Sequence, residues 1–488
     1  MSKTIAIVGA GICGLGASLA LARKGHNVRV FERDGAPPEG GADAAFFDWD
    51  RRGAGQFRHP HAFLGLLCNI LQDNYPDLLQ DFVDAGALRV GFEEMIPPEL
   101  KADYQPEPGD ERLWVMMCRR ATMETVLRRY VERQPGIEIV NDQSVTGLLT
   151  ETREGALVAT GLELTEGFVS ADLVVDASGR TSKFPTWFKN MGLRVREEKD
   201  DAEIVYFTRH YRLKPGVDAP PRDGPERSAG DLGYLKYGVF PGEDRHFAVI
   251  ICVPANEIEL RKAVNSAEQF DQICRAIPGL MPWVDSAVSD ATTDSFGFGD
   301  IHAHWRYYSE DEQPLALNFF AIGDAAIRTN PLYGRGCSIG MKHAHLLADV
   351  IEREQDPVRC ALQFEIDTQE QIRPIFDASL NEDRKGIKRA AAVRSGQSLE
   401  RAGGIKKWFG LAFGDAMAGA MQSNIHVIRG LMRTVHLLEA PGAFLKEKRI
   451  RNTIFWYMLR GRRKNAAANI VNGPDRLGMH AVLAQNAD

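Results

Sequence analysis

A glycine-rich turn near the start of the chain has the residue types and spacing of a nucleotide-phosphate site. Residues 5–16 read I-A-I-V-G-A-G-I-C-G-L-G, a β-branched run followed by Gly9, Gly11 and Gly14. Gly9 would allow a strand to turn, Gly11 would let the backbone approach a pyrophosphate, and Gly14 would let a helix pack against the strand. The sequence therefore predicts phosphate groups bound at a helix N-terminus.

An acidic residue ends the next apolar run, F-E-R. Glu32 follows Gly14 at close to the ~20-residue spacing expected of a carboxylate that accepts a hydrogen bond from a ribose hydroxyl. A carboxylate at this place disfavours a 2′-phosphate. Arg33, the next residue, is a further candidate for cofactor binding. The alternative is a glycine turn that holds no ligand.

The composition is ordinary for a globular chain and excludes several classes of partner. The 488 residues are 44% apolar and 26% charged, with a formal net charge of −7. So mild an acidity predicts no nucleic-acid partner, and the length predicts two or three domains. The seven cysteines form no C-x-x-C pair and do not have the spacing of metal-ligating residues. This predicts no metal site and no disulfide framework, and it favours a cytoplasmic location. No apolar run reaches the ~18 residues of a membrane span.

Two later segments also end a predicted strand in a turn of small residues. Residues 171–182 read A-D-L-V-V-D-A-S-G-R-T-S, with the strand ending at Asp176 just before Gly179. Residues 319–340 read F-F-A-I-G-D-A-A-I-R-T-N-P-L-Y-G-R-G-C-S-I-G, with the strand ending at Asp324. The carboxylate of Asp324 could accept a hydrogen bond from a ligand hydroxyl, or it could cap a turn.

Together these stretches resemble the FAD-dependent aromatic hydroxylase and epoxidase superfamily, which has the fold of p-hydroxybenzoate hydroxylase. Four motifs carry the resemblance: G-A-G-I-C-G-L-G, R-H-P-H at 58–61, D-A-S-G-R-T-S at 176–182 and G-D-A-A-I-R-T-N-P-L-Y-G-R-G at 323–336. Their order and spacing are far more specific than any one of them. In appearance the chain is most similar to bacterial polyether-type flavin epoxidases and squalene-epoxidase-like monooxygenases.

The resemblance implies an α/β fold with a discontinuous Rossmann-like FAD-binding domain, an antiparallel-sheet substrate domain and a helical C-terminal region. It identifies Asp324 as the flavin-contacting aspartate. It also implies that the backbone amides of residues 333–337 open a helix whose positive end faces the flavin pyrimidine ring. The predicted cofactor-binding residues are Gly9, Gly11, Gly14, Glu32, Arg33, Arg58, Arg120, Asp176, Gly179, Gly323, Asp324, Pro331, Gly334, Gly336 and Cys337.

The catalytic candidates are groups of the predicted pocket, because oxygen transfer from a flavin requires no side-chain nucleophile. His59 and His61 could donate a proton or orient substrate, and a purely structural histidine fits either position equally well. Tyr333 is the third candidate. Arg58 and Arg120 are the arginines that the resemblance places near the flavin ring or its phosphates; as an alternative, each could be a surface charge.

The resemblance implies a monooxygenase that binds O2 and a small apolar organic substrate. Reduced FAD would form a C4a-hydroperoxide with O2, and one oxygen atom would epoxidise or hydroxylate an alkene or aromatic compound of secondary metabolism. The D-A-S-G motif differs from the D-G-x-x-S form of NADPH-dependent hydroxylases. NAD(P)H could therefore act directly or through a separate flavin reductase.

Several alternatives share the same frame. A flavin oxidase or dehydrogenase, a geranylgeranyl-type reductase and a non-catalytic flavin-binding redox sensor would all bind FAD without inserting oxygen. A flavin-dependent halogenase should carry a W-x-W-x-I-P signature, which this sequence lacks.

The motifs predict a discontinuous domain organisation. The FAD-binding domain is predicted over residues 1–86, 113–187 and 300–349, and the substrate-binding sheet domain over residues 87–112 and 188–299. Within the second domain, alternating apolar residues predict antiparallel strands at 204–213, 233–239 and 246–253.

The remainder of the chain is predicted to be helical. Residues 350–488 are expected to cap the substrate cavity or to pack as a small bundle. Basic clusters at 446–451 and 460–464 could touch a membrane surface peripherally, or they could form a solvated face. The sequence leaves the oligomeric state open.

Overall fold

A computed structural model of the chain describes residues 2–222, 226–397, 404–466 and 473–485. Small parts of the predicted domains, including segments of the 350–488 region, therefore lie outside the described residues. The strands are β1 (Thr4–Val8), β2 (Asn27–Phe31), β3 (Ala62–Phe63), β4 (Leu88–Val90), β5 (Val115–Met117), β6 (Ile137–Val140), β7 (Val145–Arg153), β8 (Ala156–Leu164), β9 (Phe168–Ser170), β10 (Leu173–Asp176), β11 (Arg196–Asp201), β12 (Ile204–Leu213), β13 (Ala229–Asp231), β14 (Lys236–Pro241), β15 (His246–Pro254), β16 (Ser289–Ala291), β17 (Phe296–Phe298), β18 (His302–Tyr307), β19 (Ser309–Glu310), β20 (Gln313–Pro314), β21 (Phe319–Ala321) and β22 (Ile327–Arg328).

The α-helices alternate with these strands in the first half of the chain and follow one another after residue 336. They are α1 (Ile12–Arg23), α2 (Ala42–Asp48), α3 (Gly65–Asn74), α4 (Pro76–Asp84), α5 (Phe92–Met95), α6 (Pro98–Lys101), α7 (Arg120–Glu132), α8 (Phe184–Asn190), α9 (Ile258–Asn265), α10 (Ala267–Ala276), α11 (Gly336–Arg353), α12 (Pro357–Arg394), α13 (Ile405–Met421), α14 (Ile425–Val435), α15 (Lys448–Arg460), α16 (Arg462–Ala466) and α17 (Arg476–Ala484).

A five-stranded parallel sheet forms the first layer, in the order β21-β10-β1-β2-β6. Strand β1 lies at its centre, and Ile5 and Ile7 are buried there, as expected of a parallel strand covered on both faces. The carboxyl ends of the strands meet at one edge. There the Gly9 amide donates to the Phe31 carbonyl at 2.8 Å, and the Ala177 amide donates to the Val8 carbonyl at 3.0 Å. Ligands of open α/β sheets bind at this kind of edge.

Helices α1 and α11 pack against each other beside this edge. A Cβ atom on Gly16 would lie 2.7 Å from the Met341 sulfur, so the missing side chain allows the close approach. A Cβ atom on Gly14 would lie 1.9 Å from the Gly9 carbonyl oxygen. Gly14 therefore lets α1 pack against the turn after β1, which is the role that the sequence predicts for it.

A second, antiparallel sheet runs in the order β13-β14-β15-β12-β16, with β17 also paired to β12. The predicted strands at 204–213 and 246–253 are found as β12 and β15, and the one predicted at 233–239 begins later, as β14. One face of this sheet packs Phe207 and Tyr211 against α9 and α10. The opposite face presents Tyr206 and Phe298, together with Leu332, toward the first layer.

The segment 87–112 does not join this antiparallel sheet. Its only strand among the described residues, β4, pairs with β5 in a separate three-stranded sheet with β3. The apolar side chains of Phe92 and Ile96 instead pack with Ile428 of α14. Apolar burial against the C-terminal helices thus decides the place of this segment. The other predicted domain boundaries stay predictions.

The C-terminal region is helical, as predicted, but its described helices do not pack as one bundle. Helix α12 is 38 residues long and packs along α11. Helices α13, α14 and α15 build a small core of their own around Ala416, Val427 and Ile454. Large apolar side chains remain exposed on α13 and α15, among them Phe409 and Trp456. Peripheral membrane contact of this region stays a prediction. Among the described residues, no helix is both long and apolar enough to cross a lipid bilayer.

The contact between Gly14 and the turn after β1 predicts a specific loss of stability. Gly14→Ala should lower the free energy of unfolding by about 1–3 kcal/mol, because the added methyl group must displace backbone. Gly386→Ala is the matched control, since a Cβ on Gly386 in α12 meets nothing within 4 Å, and it should raise stability by up to about 1 kcal/mol. Equal denaturant midpoints for the two variants would contradict this packing.

Candidate functional site

A cavity of about 530 Å³ lies between the carboxyl edge of the parallel sheet and the antiparallel sheet. Fifteen residues of the predicted cofactor-binding and catalytic sets line it, although they come from widely separated parts of the sequence. They are Gly9, Gly11, Glu32, Arg33, His59, His61, Arg120, Gly179, Gly323, Asp324, Pro331, Tyr333, Gly334, Gly336 and Cys337.

Two helix N-termini open onto this cavity. Gly11 precedes α1 in an extended conformation, Arg335 precedes α11, and neither helix has a side-chain cap or an acidic residue in its first turn. Gly11 and Gly336 themselves line the cavity. A Cβ on Gly11 would meet nothing within 4 Å, so this stretch of main chain borders open space. Unpaired amides and the helix dipoles thus make the cavity wall favourable for negative charge at both helix starts.

Glu32 is held rigidly at the cavity wall. Its Oε2 atom accepts from the Ala10 amide at 2.9 Å, and its Oε1 atom accepts from the Asp34 amide at 3.0 Å. The Nη1 atom of Arg51 lies 3.1 Å from Glu32 Oε2. Glu32 is 4% exposed and lines the cavity, and its Oε1 atom has one partner only, so it can still accept a hydrogen bond from a ligand hydroxyl.

Arg51 joins three buried carboxylates into one network. Besides Glu32, it contacts Asp34 at 3.0 Å and Glu124 at 2.9 Å, and its side chain is only 2% exposed. Glu124 also accepts from Arg120 Nε at 2.6 Å. Burial disfavours the charge on Glu124, but Arg120 and Arg51 hold the pKa of this carboxyl below its usual range. The network orients Glu32 and Arg120, both of which face the cavity.

Asp324 is available to a ligand. It lines the cavity, and no hydrogen bond to its carboxylate is made by any residue within the described ranges. Burial raises the pKa of Asp324, and the neighbouring positive charge of Arg328 opposes that rise. The carboxylate is therefore positioned to accept hydrogen bonds from hydroxyl groups of a bound molecule, which is the role the resemblance implies.

The two histidines of the R-H-P-H loop are neutral at physiological pH. Burial lowers the pKa of His59 to about 4, and burial together with the charge of Arg120 lowers the pKa of His61 to about 3. His61 Nδ1 donates to the His59 carbonyl at 2.8 Å, so its Nε2 atom is the acceptor facing Arg120 at 3.4 Å. His59 Nδ1 lies 2.8 Å from Thr208 Oγ1. Neither ring carries the second, acidic proton of an imidazolium at pH 7, so an orienting role fits them better than proton donation.

Tyr333 is tied to the C-terminal helix α12. Its hydroxyl donates to Asp383 Oδ1 at 2.9 Å, and the Asn330 side-chain amide donates to the same oxygen at 2.6 Å. This fixes the Asn330 amide so that its oxygen accepts from the Leu332 amide and from the Tyr206 hydroxyl. Asp383 thus holds the loop that leads into α11, although no residue after 349 among those described lines the cavity itself.

The end of the cavity next to the antiparallel sheet is mainly apolar. Its walls carry Tyr206, Phe240, Ile250, Cys252 and Phe298. A positive φ of 65° at Gly334 turns the chain between this end and the start of α11, a conformation that glycine adopts without strain. An apolar ligand of small size could be desolvated here beside the loop.

Three predicted residues do not reach the cavity. The side chain of Arg58 points away from it, because its guanidinium donates to the carbonyl oxygens of Phe46 and Phe47 at 3.2 and 3.0 Å. The carboxylate of Asp176 is occupied by Ser178 and Ser182 and holds the turn after β10. Gly14 acts through packing, as described above. The prediction of ligand contact at Arg58 and Asp176 is therefore corrected: both side chains are used for local structure.

The structure adds a cavity residue that sequence reasoning missed. Arg51 lies in an unremarkable stretch, D-W-D-R-R, and its partners come from three other segments, so no local pattern marks it.

Burial raises the pKa of the Cys337 thiol, which receives a hydrogen bond from Arg120 Nη1 at 3.3 Å. Among the described residues, no group of histidine, cysteine or acidic side chains is arranged to hold a metal ion.

Comparisons by sequence agree with this arrangement. Residues 7–68 match the model of a family described as an NAD(P)-binding Rossmann-like domain. Protein Rv3254 of Mycobacterium tuberculosis is 27% identical over 386 residues, which cover 74% of this chain and 75% of that protein. Kynurenine 3-monooxygenase of Salinispora arenicola is 24% identical over an alignment of the same length and coverage.

Solved structures share the fold. The flavin-dependent brominase Bmp2 is 16% identical with a TM-score of 0.61, covering 94% of this chain and all of that one. PqsL, described as a probable FAD-dependent monooxygenase of Pseudomonas aeruginosa, is 15% identical with a TM-score of 0.57, covering 81% of this chain and 100% of that one. OxyS anhydrotetracycline hydroxylase of Streptomyces rimosus is 15% identical with a TM-score of 0.56, covering 90% of this chain and 77% of that one.

The chain has the fold that Bmp2, PqsL and OxyS share. This confirms the predicted fold class, with its Rossmann-like domain, antiparallel sheets and helical C-terminal region, and it confirms the resemblance that the four motifs carry.

The buried network around Arg51 predicts a large effect of a single substitution. Arg51→Met should lower the free energy of unfolding by about 3–5 kcal/mol, because it leaves buried carboxylates without their partner. Arg52→Met is the matched control, since the adjacent side chain is 72% exposed, and it should change stability by less than about 1 kcal/mol. Similar losses in both variants would show that the network does not hold the fold.

The neutral histidines predict a pH dependence of stability. In the unfolded chain each imidazole has an ordinary pKa and binds a proton that it does not bind in the folded state. The free energy of unfolding should therefore fall as pH is lowered from 6.5 toward about 4. The double variant His59→Gln/His61→Gln should show a shallower fall in urea titrations across this range. Superimposable pH profiles of the variant and the parent protein would contradict the lowered pKa values.

Proposed function

We propose that this cavity binds FAD. The observation that carries the proposal is the convergence of two uncapped helix N-termini, on α1 and α11, upon one cavity that also exposes Glu32 and Asp324. A dinucleotide with a ribose at one end, phosphates in the middle and a ribityl chain toward the other end matches these groups in order. Sequence and structural relatives described as monooxygenases support the same cofactor.

The residues present fit such a group. Glu32 would accept from the adenosine ribose, the amides after Gly11 would bind the pyrophosphate, and Arg120 would add positive charge beside it. Asp324 would accept from the ribityl hydroxyls. The amides at the start of α11 would lie beside the pyrimidine end of the ring, where positive potential favours the anionic reduced form.

We propose a monooxygenase reaction on a small, mainly apolar organic compound. When bound, reduced FAD supplies the electrons that activate O2 for transfer of one oxygen atom. The chain would contribute a water-poor space between the loop before α11 and the antiparallel sheet, where Tyr206 and Phe298 would hold the substrate. His59 and His61, both neutral, would orient substrate rather than supply a proton. Tyr333, tied to Asp383, would fix the loop that separates substrate from cofactor.

A halogenase is less well supported, although the brominase Bmp2 shares the fold. The sequence lacks a W-x-W-x-I-P stretch, and the fold alone hosts several activities. The proposed electron donor is NAD(P)H, acting either directly or through a separate flavin reductase. The Asp176 motif does not favour the direct route, because the Asp176 carboxylate is used within its own turn. Epoxidation and hydroxylation are both compatible with the apolar end of the cavity.

Cofactor binding is tested by titrating the protein with FAD and following quenching of flavin fluorescence. Asp324→Ala should weaken FAD binding by roughly 10- to 100-fold, because it removes a charge-assisted hydrogen-bond acceptor. Asp290→Ala, a surface change 71% exposed on β16, is the matched control and should bind as the parent does. A parent protein that takes up no FAD would refute the proposed cofactor.

The reaction class is tested with the FAD-loaded protein under ¹⁸O₂. When its flavin is reduced chemically, or by NAD(P)H with a flavin reductase, the protein should incorporate ¹⁸O into an aromatic or alkene compound from a screened panel. Consumption of O2 with quantitative release of hydrogen peroxide from every compound would instead indicate an oxidase.

A further inference from the structure

One buried arginine differs from all the others in having no partner. Seven arginines are buried among the described residues, and six of them form ion pairs with carboxylates: Arg51, Arg119, Arg120, Arg128, Arg335 and Arg429. The seventh, Arg328 of β22, is 5% exposed. Within the described part of the chain, its guanidinium makes neither an ion pair nor a hydrogen bond.

Arg328 faces the cavity. It belongs to the cavity wall, whereas its neighbour Ile327 points the other way into the main apolar core. Strand β22 pairs through Arg328 with His304 of β18, so the backbone at this position is fixed. The charged groups that act on the guanidinium most strongly are Asp324, which attracts it without forming an ion pair, and Arg180, which repels it.

An unpaired buried guanidinium is costly, because desolvation of the charge is not compensated. Burial indeed lowers the pKa of Arg328. The six other buried arginines show that this chain provides carboxylates wherever the fold alone must neutralise such a charge. The missing partner at Arg328 therefore points to an anion that arrives with a ligand.

The position of Arg328 separates two sources of that anion. The phosphates of FAD are expected at the start of α1, beside Gly11 and Arg120, and the pyrimidine ring beside the start of α11. Arg328 instead lies two residues before Asn330, whose side-chain oxygen accepts from the hydroxyl of Tyr206 on β12, a residue of the apolar face of the antiparallel sheet. That is the side on which the substrate would lie.

We infer that Arg328 is a specificity-determining residue that binds an anionic oxygen of the substrate, a carboxylate or an enolate, through its planar pair of N–H donors. The inference rests on the proposed function and narrows its substrate class. The substrate is a mainly apolar aromatic or alkene compound that carries one negative group. The apolar wall formed by Tyr206, Phe298 and Ile250 accommodates its body, and Arg328 fixes its orientation.

The first arm of the test uses benzoate and its neutral analogue benzyl alcohol as probes. Each is titrated into FAD-loaded protein while the visible absorption of the flavin is followed. Arg328→Met should weaken benzoate binding at least about tenfold and leave benzyl alcohol binding within about twofold, and Arg328→Lys should restore part of the benzoate affinity. The inference is overturned if benzoate does not bind the parent protein, or if it binds the Arg328→Met variant equally well.

The affinity for FAD distinguishes the source of the anion. FAD binding should be the same in the Arg328→Met variant and the parent protein. A parallel loss of FAD affinity would assign the anion to the cofactor and overturn the substrate assignment. A parent protein that binds no FAD refutes the proposed function instead, and that result is read directly from the same titration.

The second arm needs no ligand. Thermal unfolding of the FAD-free protein should show Arg328→Met to be more stable than the parent, because an uncompensated charge is replaced by an apolar side chain. Arg429→Met is the matched control: this arginine is equally buried but is paired with Asp110 at 2.8 Å, so its loss should lower the melting temperature. A fall in both variants would show that Arg328 has a structural partner and would overturn the inference.

Discussion

Two helix N-termini that share one cavity are the constraint on which the rest of the structure depends. The first amides of α1 and α11 have no partner within their helices and no side-chain cap, and the aligned peptide dipoles add positive potential at the same points. To bring both ends to one place, the chain must end its parallel strands at a common edge and pack the helices closely. Gly14 and Gly16 allow that packing, since a larger side chain at either would meet backbone or sulfur.

The charges around the cavity follow the same logic on both of its sides. On the nucleotide side, Arg51 and Arg120 face three carboxylates, so each carboxylate has an ion-pair partner before any ligand binds, and the network can hold Glu32 in place. On the side of the antiparallel sheet, Arg328 is buried and has no ion-pair or hydrogen-bond partner among the residues that the structure describes. Paired charges hold the side chains of the network in place, whereas an unpaired buried charge is stabilised only when a ligand supplies its partner. This difference supports the proposal that the first set serves the cofactor and the single arginine serves the substrate.

Motifs that act through backbone geometry could be predicted from the sequence. The turns at Gly9 and Gly334 need a positive φ, which the structure shows at 101° and 65°, and glycine at fixed spacing records that need. Contacts between distant segments are not indicated by any local sequence pattern. Arg51 depends on partners in three other segments, and Arg58 was assigned to the cofactor although its loop turns it toward the Phe46 carbonyl. The lack of a partner at Arg328 can be recognised only once its neighbours are known.

The central claim is that one FAD molecule spans both helix N-termini. Amide hydrogen exchange, measured by mass spectrometry with and without saturating FAD, tests it most directly. The account predicts strong protection in peptides covering residues 9–16 and 330–341, and unchanged exchange in residues 425–460 of the C-terminal bundle. Protection at only one of the two helix starts, or at neither, would contradict it.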